Sequence, residues 1–154
     1  MVIFISMHSE YIKVEQFEMK KANSPDILRS GGLGPCIAIG IYDSKTKSGY
    51  MMHGLDFQSD DLDGKIQEIK KDYGNLTELQ IFAVGNSLDS FDNEEQREYE
   101  IINRPFVEQI LRKYFQDSQL QIKWIHDDHC AELFLDTSTG EFELDIQSLD
   151  EMLE

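Results

Sequence analysis

The feature that most constrains the fold is a continuous apolar run, Ile37–Tyr42, which a polar segment joins to Tyr50–Phe57. An unbroken run rich in β-branched residues is typical of a strand that is buried on both faces. The connecting sequence DSKTKSG (Asp43–Gly49) has the composition of a turn. Together, these segments predict an antiparallel β-hairpin.

Two further regions carry a helical pattern. Apolar residues at spacings of 4, 3 and 4 predict a helix over Leu62–Tyr73, with Asp60 or Asp61 as its N-cap and Gly74 at its end. The region Asn93–Phe115 is also helical in pattern. We expect Pro105 to break or kink it, because proline lacks the N–H that a helix interior requires. In that interpretation Asn103 lies near a cap and a second helix begins at Pro105. Its apolar face is formed by Phe106, Val107, Ile110, Leu111 and Tyr114.

The remaining segments complete a mixed architecture. Further strands are predicted at Val2–Ser6, Tyr11–Phe17, Leu79–Val84, Leu120–His126, Glu132–Asp136 and Glu141–Asp145. Met19–Pro25 is interpreted as a connection, Thr137–Gly140 as a hairpin turn, and Gln147–Glu154 as a short helical or frayed end. No linker divides the chain, so we predict one domain over residues 1–154. Its expected fold is an α/β (α+β) layered sandwich of mixed sheet with flanking helices.

The charge of the chain bears on its partners. Thirty acidic residues against 14 basic ones give a formal charge of −16, which repels phosphate backbones and anionic membrane surfaces. Nucleic acid and membrane insertion are therefore not expected. The charge serves either solubility or the steering of a basic partner surface. The N-terminal apolar run, Val2–Ile5, is too short for a signal or a membrane span, so we expect a cytoplasmic protein. An exported effector without a cleavable signal would have the same pattern.

A candidate nucleophile follows a glycine-rich loop, Ser30–Cys36 (SGGLGPC). A thiol at the mouth of a strand is accessible to substrate, and backbone N–H groups of the loop can face a developing oxyanion. A thiol also needs a base, and His53 follows Cys36 by 17 residues, across the predicted hairpin. Pairing of the two strands would bring Cys36 and His53 to the same open end. The structural alternative is a small buried cysteine and an unrelated histidine.

The run SGGLGPCIAIGIYDSKTKSGYMMH is similar to the central motif of the CheD-type glutamine deamidases of bacterial chemotaxis. That motif reads approximately T-x-G-L-G-S-C-[VI]-A-V-x-[LI]-Y-D, then a polar turn, then G-x-[AM]-H. The matching residues are Gly32, Leu33, Gly34, Cys36, Ile37, Ala38, Tyr42, Asp43, Gly49 and His53. The interval from cysteine to histidine is the same. Later segments resemble the family more loosely.

The resemblance implies a protein-glutamine deamidase that needs no cofactor and no metal. It assigns Cys36 as the nucleophile, His53 as the general base and acid, and Ser30 to the position of a threonine hydroxyl in the site. It assigns the substrate and oxyanion loop to Gly32, Leu33 and Gly34. The implied partners are a glutamine-bearing protein substrate, such as a chemoreceptor, and a regulatory protein. The implied fold is the α/β sandwich of the cytotoxic-necrotizing-factor-type deamidase toxins.

The chain departs from the family pattern in three places. Pro35 replaces a serine and cannot donate a backbone hydrogen bond. Ser30 replaces the threonine and keeps the hydroxyl. An acidic segment, residues 126–132 (HDDHCAE), replaces one rich in glycine and arginine. These changes leave a second interpretation open, in which the fold is kept as a protein-binding module without turnover. A third is an effector that deamidates a host protein.

The same acidic segment contains metal-ligating residue types, with His126, His129 and Cys130 beside Asp127 and Asp128. The H-x-x-H-C spacing is short and no second paired motif accompanies it, so we interpret the segment as a solvated polar loop. An approach of Asp128 or His129 to the dyad from a neighbouring strand stays open.

Overall fold

The computed structural model describes residues 10–34, 36–85, 94–125 and 129–148, and within them the chain forms three layers. Two helices lie on one face of a five-stranded sheet, and a four-stranded sheet covers its other face. Both sheets are mixed, so the predicted layered sandwich of mixed sheet with flanking helices is confirmed. The predicted strand Val2–Ser6 lies outside the described residues.

The five-stranded sheet has the order β2-β5-β4-β6-β7. Its strands are β2 (Met19–Asn23), β4 (Ile37–Asp43), β5 (Ser48–Gly54), β6 (Gln80–Gly85) and β7 (Leu120–Trp124). All seven residues of β4 are buried, because helices cover one of its faces and the second sheet the other. The predicted hairpin is confirmed, since β4 and β5 pair antiparallel in a register that sets Ala38 opposite His53.

The four-stranded sheet has the order β1-β3-β8-β9. Its strands are β1 (Tyr11–Lys13), β3 (Ile27–Ser30), β8 (His129–Asp136) and β9 (Glu141–Ser148). The predicted closing hairpin is confirmed, although both of its strands extend further than expected. Alternate residues of β8, such as Leu133 and Leu135, are fully buried against the five-stranded sheet. This sheet therefore buries one face only.

The first helix, α1 (Leu62–Tyr73), has the predicted bounds. Asp61 is its N-cap, and the Asp61 carboxylate accepts a hydrogen bond from the N–H of Gly64 at 3.1 Å. Gly74 ends the helix at a φ of 76°, a backbone conformation that glycine adopts without steric cost. Local capping chemistry and apolar spacing therefore predicted this helix correctly.

The second helix, α2 (Glu94–Tyr114), is continuous through Pro105, so the predicted break is wrong and no second helix begins there; the alternative of a kink at Pro105 stays a prediction. An internal proline costs about 3 kcal/mol. Pro105 itself is exposed, whereas Val107 and Leu111 are fully buried against the five-stranded sheet. Their burial contributes roughly 1.5–3 kcal/mol each and holds the helix in place. The predicted apolar face from Phe106 to Tyr114 is confirmed.

Three other predictions need correction. Met19–Pro25 is not a connection, because β2 occupies Met19–Asn23 and pairs with β5. The predicted strand Tyr11–Phe17 ends at Lys13, since a turn follows it. Gln147 does not begin a helical end but lies in β9, opposite Cys130; residues 149–154 are outside the described part of the chain.

The two sheets approach closely at Gly40, and this contact gives a test of the packing. A Cβ at Gly40 would lie 2.5 Å from Cε1 of Phe142, whose ring packs against Phe82 with centroids 5.5 Å apart. Gly40→Ala is expected to lower the free energy of unfolding by about 1–3 kcal/mol through overpacking. Urea denaturation measures this loss. Adding Phe142→Leu should recover part of it, whereas strictly additive losses in the double variant would contradict the contact.

Candidate functional site

A hydrogen bond between the two sheets forms the centre of the candidate site. Ser30, the last residue of β3, and His53, on β5, meet with Oγ and Nδ1 2.7 Å apart. Ser30 is fully buried, and His53 retains 7% of its exposure. The topology thus brings together two of the three residues that the sequence assigned to catalysis, although they lie in different sheets.

The backbone carbonyl of Val14 fixes the direction of that hydrogen bond. Ser30 Oγ donates to Val14 O at 3.0 Å. Because a hydroxyl has only one hydrogen to donate, Ser30 must accept its second bond from the Nδ1–H of His53. This assignment places the proton of the neutral imidazole on Nδ1 and leaves the lone pair on Nε2. The hydrogen-bond network therefore selects the tautomer in which Nε2 is the base.

The environment of His53 favours the neutral ring. Burial lowers its pKa below the ordinary value of 6.5, opposed by the nearby Val14 carbonyl and the negative charge of Glu15. Nε2 is buried and has no hydrogen-bond partner among the residues that the structure describes. A buried acceptor left in this state costs stability, and its lone pair can accept a proton.

Cys36 lies on the same face of the five-stranded sheet as His53. It directly precedes β4 and packs in the apolar layer between the sheets, near Ala38 and Ala131. Since Ala38 pairs with His53, Cys36 is the diagonal neighbour of the histidine. Diagonal neighbours have Cβ atoms about 7–8 Å apart or somewhat less. The thiol is not hydrogen-bonded to Nε2 in this structure, and Cys36 is only 6% exposed. The register therefore makes Cys36 and His53 diagonal neighbours on one sheet face, while the dyad itself stays a prediction.

The glycine-rich loop is positioned by the four-stranded sheet. Gly32 has a φ of 68°, and a Cβ there would meet no atom within 4 Å, so backbone conformation alone explains this glycine. Leu33 is fully buried, and its N–H donates to the carbonyl of Ala131 at 3.1 Å. The Leu33 amide is therefore committed to the fold rather than directed at an oxyanion. Pro35 lies outside the described residues.

Sequence reasoning missed two contributors to the site. Val14 acts through its backbone carbonyl, for which side-chain patterns give no signal. Asn103, which the sequence places near a helix cap, is buried on α2, and its Nδ2 donates to the carbonyl of Leu55 at 2.9 Å. Leu55 follows β5 directly, so this contact holds the end of the strand that carries His53.

The described cavities lie away from this centre. A cavity of about 590 Å³ is lined by residues of both sheets and of the segment before β7, including Tyr11, Phe134, Gln80 and Gln121. A smaller one, of about 190 Å³, lies beside Gly31 and Gly32 on the outer face of the four-stranded sheet, where Cys130 is found. Burial and the charge of Asp145 raise the pKa of the Cys130 thiol. Neither cavity is lined by Cys36 or His53.

Within the described ranges, no three histidine, cysteine, aspartate or glutamate side chains converge so as to hold a metal ion. No helix there combines the length and apolar character that crossing a bilayer requires. The predicted polar segment is described only in part, since residues 126–128 lie outside those ranges.

Comparison with known proteins gives little guidance. No family model matches the chain, and no curated protein matches it. Among solved structures, the chain is similar to Neisseria meningitidis protein NMB0706, of the DUF152 family, with 8% identity and a TM-score of 0.41. The match covers 81% of this chain and 66% of that one, just under two thirds of its length. Similarity this low carries no argument about what either protein does.

The tautomer of His53 can be tested by removing the hydroxyl that selects it. Long-range ¹⁵N–¹H correlation spectra of the wild type should show His53 protonated on Nδ1. Ser30→Ala should populate the other tautomer as well, and should cost about 1–3 kcal/mol because buried polar groups lose a partner. Ser30→Thr retains the hydroxyl and should keep the wild-type pattern. A wild type protonated on Nε2 would contradict the proposed network.

The lowered pKa of His53 also predicts a pH dependence of stability. In the unfolded state His53 takes up a proton near pH 6.5, whereas in the folded state it does so only at a lower pH. The neutral His53 ring therefore contributes to the free energy of unfolding above pH 6.5. This contribution is lost as the pH falls from 6.5 through the pKa of His53 in the folded state. In urea titrations, the stability of wild type relative to His53→Gln should shrink across that window. A difference that is constant or grows as the pH falls would refute the shift.

Proposed function

We propose that the protein is a thiol-dependent amidohydrolase that converts glutamine side chains of a protein substrate to glutamate. The observation that carries the proposal is the hydrogen-bond chain from Val14 through Ser30 to His53. It leaves a buried imidazole neutral, with its lone pair on Nε2 and without a donor among the described residues. Cys36, on the same sheet face, supplies the thiol. His53 supplies a base, and Cys36, its diagonal neighbour in the strand register, supplies a thiol. Nucleophilic catalysis needs both parts.

The chemistry follows from these positions. His53 Nε2 takes the proton of the Cys36 thiol, and the sulfur attacks the carbonyl carbon of the glutamine side chain. The imidazolium then protonates the departing nitrogen, so ammonia leaves and a thioester remains. Water attacks the thioester, again giving its proton to Nε2, and glutamate is released with the thiol restored. One amide and one water thus become one carboxylic acid and one ammonia.

Ser30 is a positioning residue in this scheme. It touches no reacting atom, but it holds Nδ1 and so keeps Nε2 as the base. The hydroxyl also stabilises the imidazolium, because it continues to accept from Nδ1–H when Nε2 is protonated. This role resembles that of the third member of other nucleophile–histidine sites, in which a hydrogen-bond acceptor orients the ring.

The resemblance to the CheD-type deamidases also supports the partners and the location that we propose. The substrate is a glutamine-bearing protein, with a chemoreceptor as the example that the resemblance supplies, and a second protein regulates access to the site in the cytoplasm. The formal charge of −16 favours a substrate or regulator with a basic surface.

A second candidate function draws on a specific observation. Cys36 is 6% exposed within an apolar cluster that includes Leu33, Ala38 and Ala131. A thiol in that setting behaves as a small apolar side chain. This observation favours a module that keeps the fold and binds a partner without turnover. The two candidates differ in whether Cys36 supports ammonia release.

The two cysteines of the chain provide a matched test of the enzyme. Cys36→Ala is expected to lower ammonia release from a glutamine-rich protein such as casein by at least about a thousandfold, because the covalent step is lost. Cys130→Ala should retain the wild-type rate, since Cys130 lies on the outer face of the other sheet. Coupled detection of ammonia and mass spectrometry of the product measure both. A wild type no more active than Cys36→Ala would leave only the binding module.

A further inference from the structure

An exposed phenylalanine stands beside the candidate site on a turn that is bonded to the histidine. The N–H of Phe17 donates to His53 O at 2.7 Å, and the N–H of His53 donates to Glu18 O at 3.1 Å. Phe17 and Glu18 thus face one residue of β5, which is the pattern of a β-bulge. Bulges of this kind frequently lie next to active sites, where they redirect a side chain.

The backbone at Phe17 is in a conformation that a bulky residue rarely adopts. Its φ is 70°, and the N–H of Glu18 donates to Glu15 O at 3.0 Å, closing a four-residue turn with Phe17 in third place. Glycine or asparagine is the usual residue at a positive φ in such turns and bulges. Phenylalanine is therefore unfavourable for the stability of the turn.

Burial does not offset this cost. The Phe17 side chain is 63% exposed. Tyr11 is almost as exposed, at 60%, but its ring makes an edge contact with Phe134 at 6.2 Å. No ring contact of Phe17 is found within the described residues. Phe17 therefore combines a strained backbone, an exposed apolar ring and a backbone bond to His53, and strained positions of this kind cluster at functional sites.

We propose that Phe17 is a substrate-contact residue, which packs against the polypeptide next to the glutamine that enters the site. The inference rests on the proposed deamidase function and adds a determinant of its specificity. An aromatic side chain supplies large contact area at low conformational-entropy cost, as at the centres of protein interfaces. Because Phe17 lies outside the hydrogen-bond chain from Val14 through Ser30 to His53, its proposed contact is with the polypeptide and not with the reacting amide, so a small glutamine derivative would not make it.

The test compares two probes. Phe17→Asn, which suits a positive φ, should lower kcat/KM for ammonia release from casein about tenfold, chiefly through KM. It should leave release from the dipeptide benzyloxycarbonyl-Gln-Gly unchanged. Phe17→Tyr should have the wild-type kcat/KM for casein, because it keeps an aromatic ring. Tyr11→Ala, which removes an equally exposed ring away from His53, should match the wild type with both probes.

The possible failures are distinguishable. Wild-type release from casein that Phe17→Asn leaves unchanged would overturn only the role of Phe17. Absence of release from both probes by the wild type would overturn the proposed function and this role with it. Thermal unfolding gives a measure that does not need activity. The Tm of Phe17→Asn should be unchanged or rise by about 2 °C, whereas a fall of about 4 °C or more would show that Phe17 serves the fold.

Discussion

The candidate site depends on one hydrogen bond, between Ser30 of the four-stranded sheet and His53 of the five-stranded sheet. Both side chains are buried, and a buried polar group without a partner costs about 1–3 kcal/mol, so each residue stabilises the other. The carbonyl of Val14 completes the arrangement, because it takes the only proton that Ser30 can donate. Contacts among three separate chain segments therefore fix one orientation and one tautomer of the His53 ring.

Burial between the sheets has two opposite effects on the proposed catalytic groups. It lowers the pKa of His53 and keeps the imidazole neutral, as a general base requires. It also shields Cys36, which lies among apolar side chains with little exposure. In the proposed deamidase, turnover requires the sulfur to meet both Nε2 and a substrate amide at the edge of the sandwich. The proposed role of Phe17, whose turn is bonded to the backbone of His53, is to contact the polypeptide at that edge.

The correctly predicted elements are those that local chemistry determines. The helix Leu62–Tyr73 has its apolar spacing, its cap at Asp61 and its terminal Gly74 within one short segment. The hairpin of β4 and β5 follows from a buried run, a polar turn and a return strand. Two other elements, a strand and a helix, form because of their contacts with neighbouring elements. Met19–Asn23 has little strand character but pairs with the edge of β5, and α2 continues past Pro105 because Val107 and Leu111 are packed against the sheet.

By itself, the sequence determined the hairpin, and the hairpin register places Cys36 diagonal to His53, since strand pairing over a short turn is a local property. A family resemblance made Ser30 a candidate, without indicating what the hydroxyl contacts. Only the tertiary structure decided that Ser30 bonds to Nδ1, that Val14 accepts from Ser30, and that the Leu33 amide is committed to Ala131. The physical reason is that these contacts join different sheets or use backbone atoms. Their partners are fixed by how the layers pack, which the order of side chains along the chain does not encode locally.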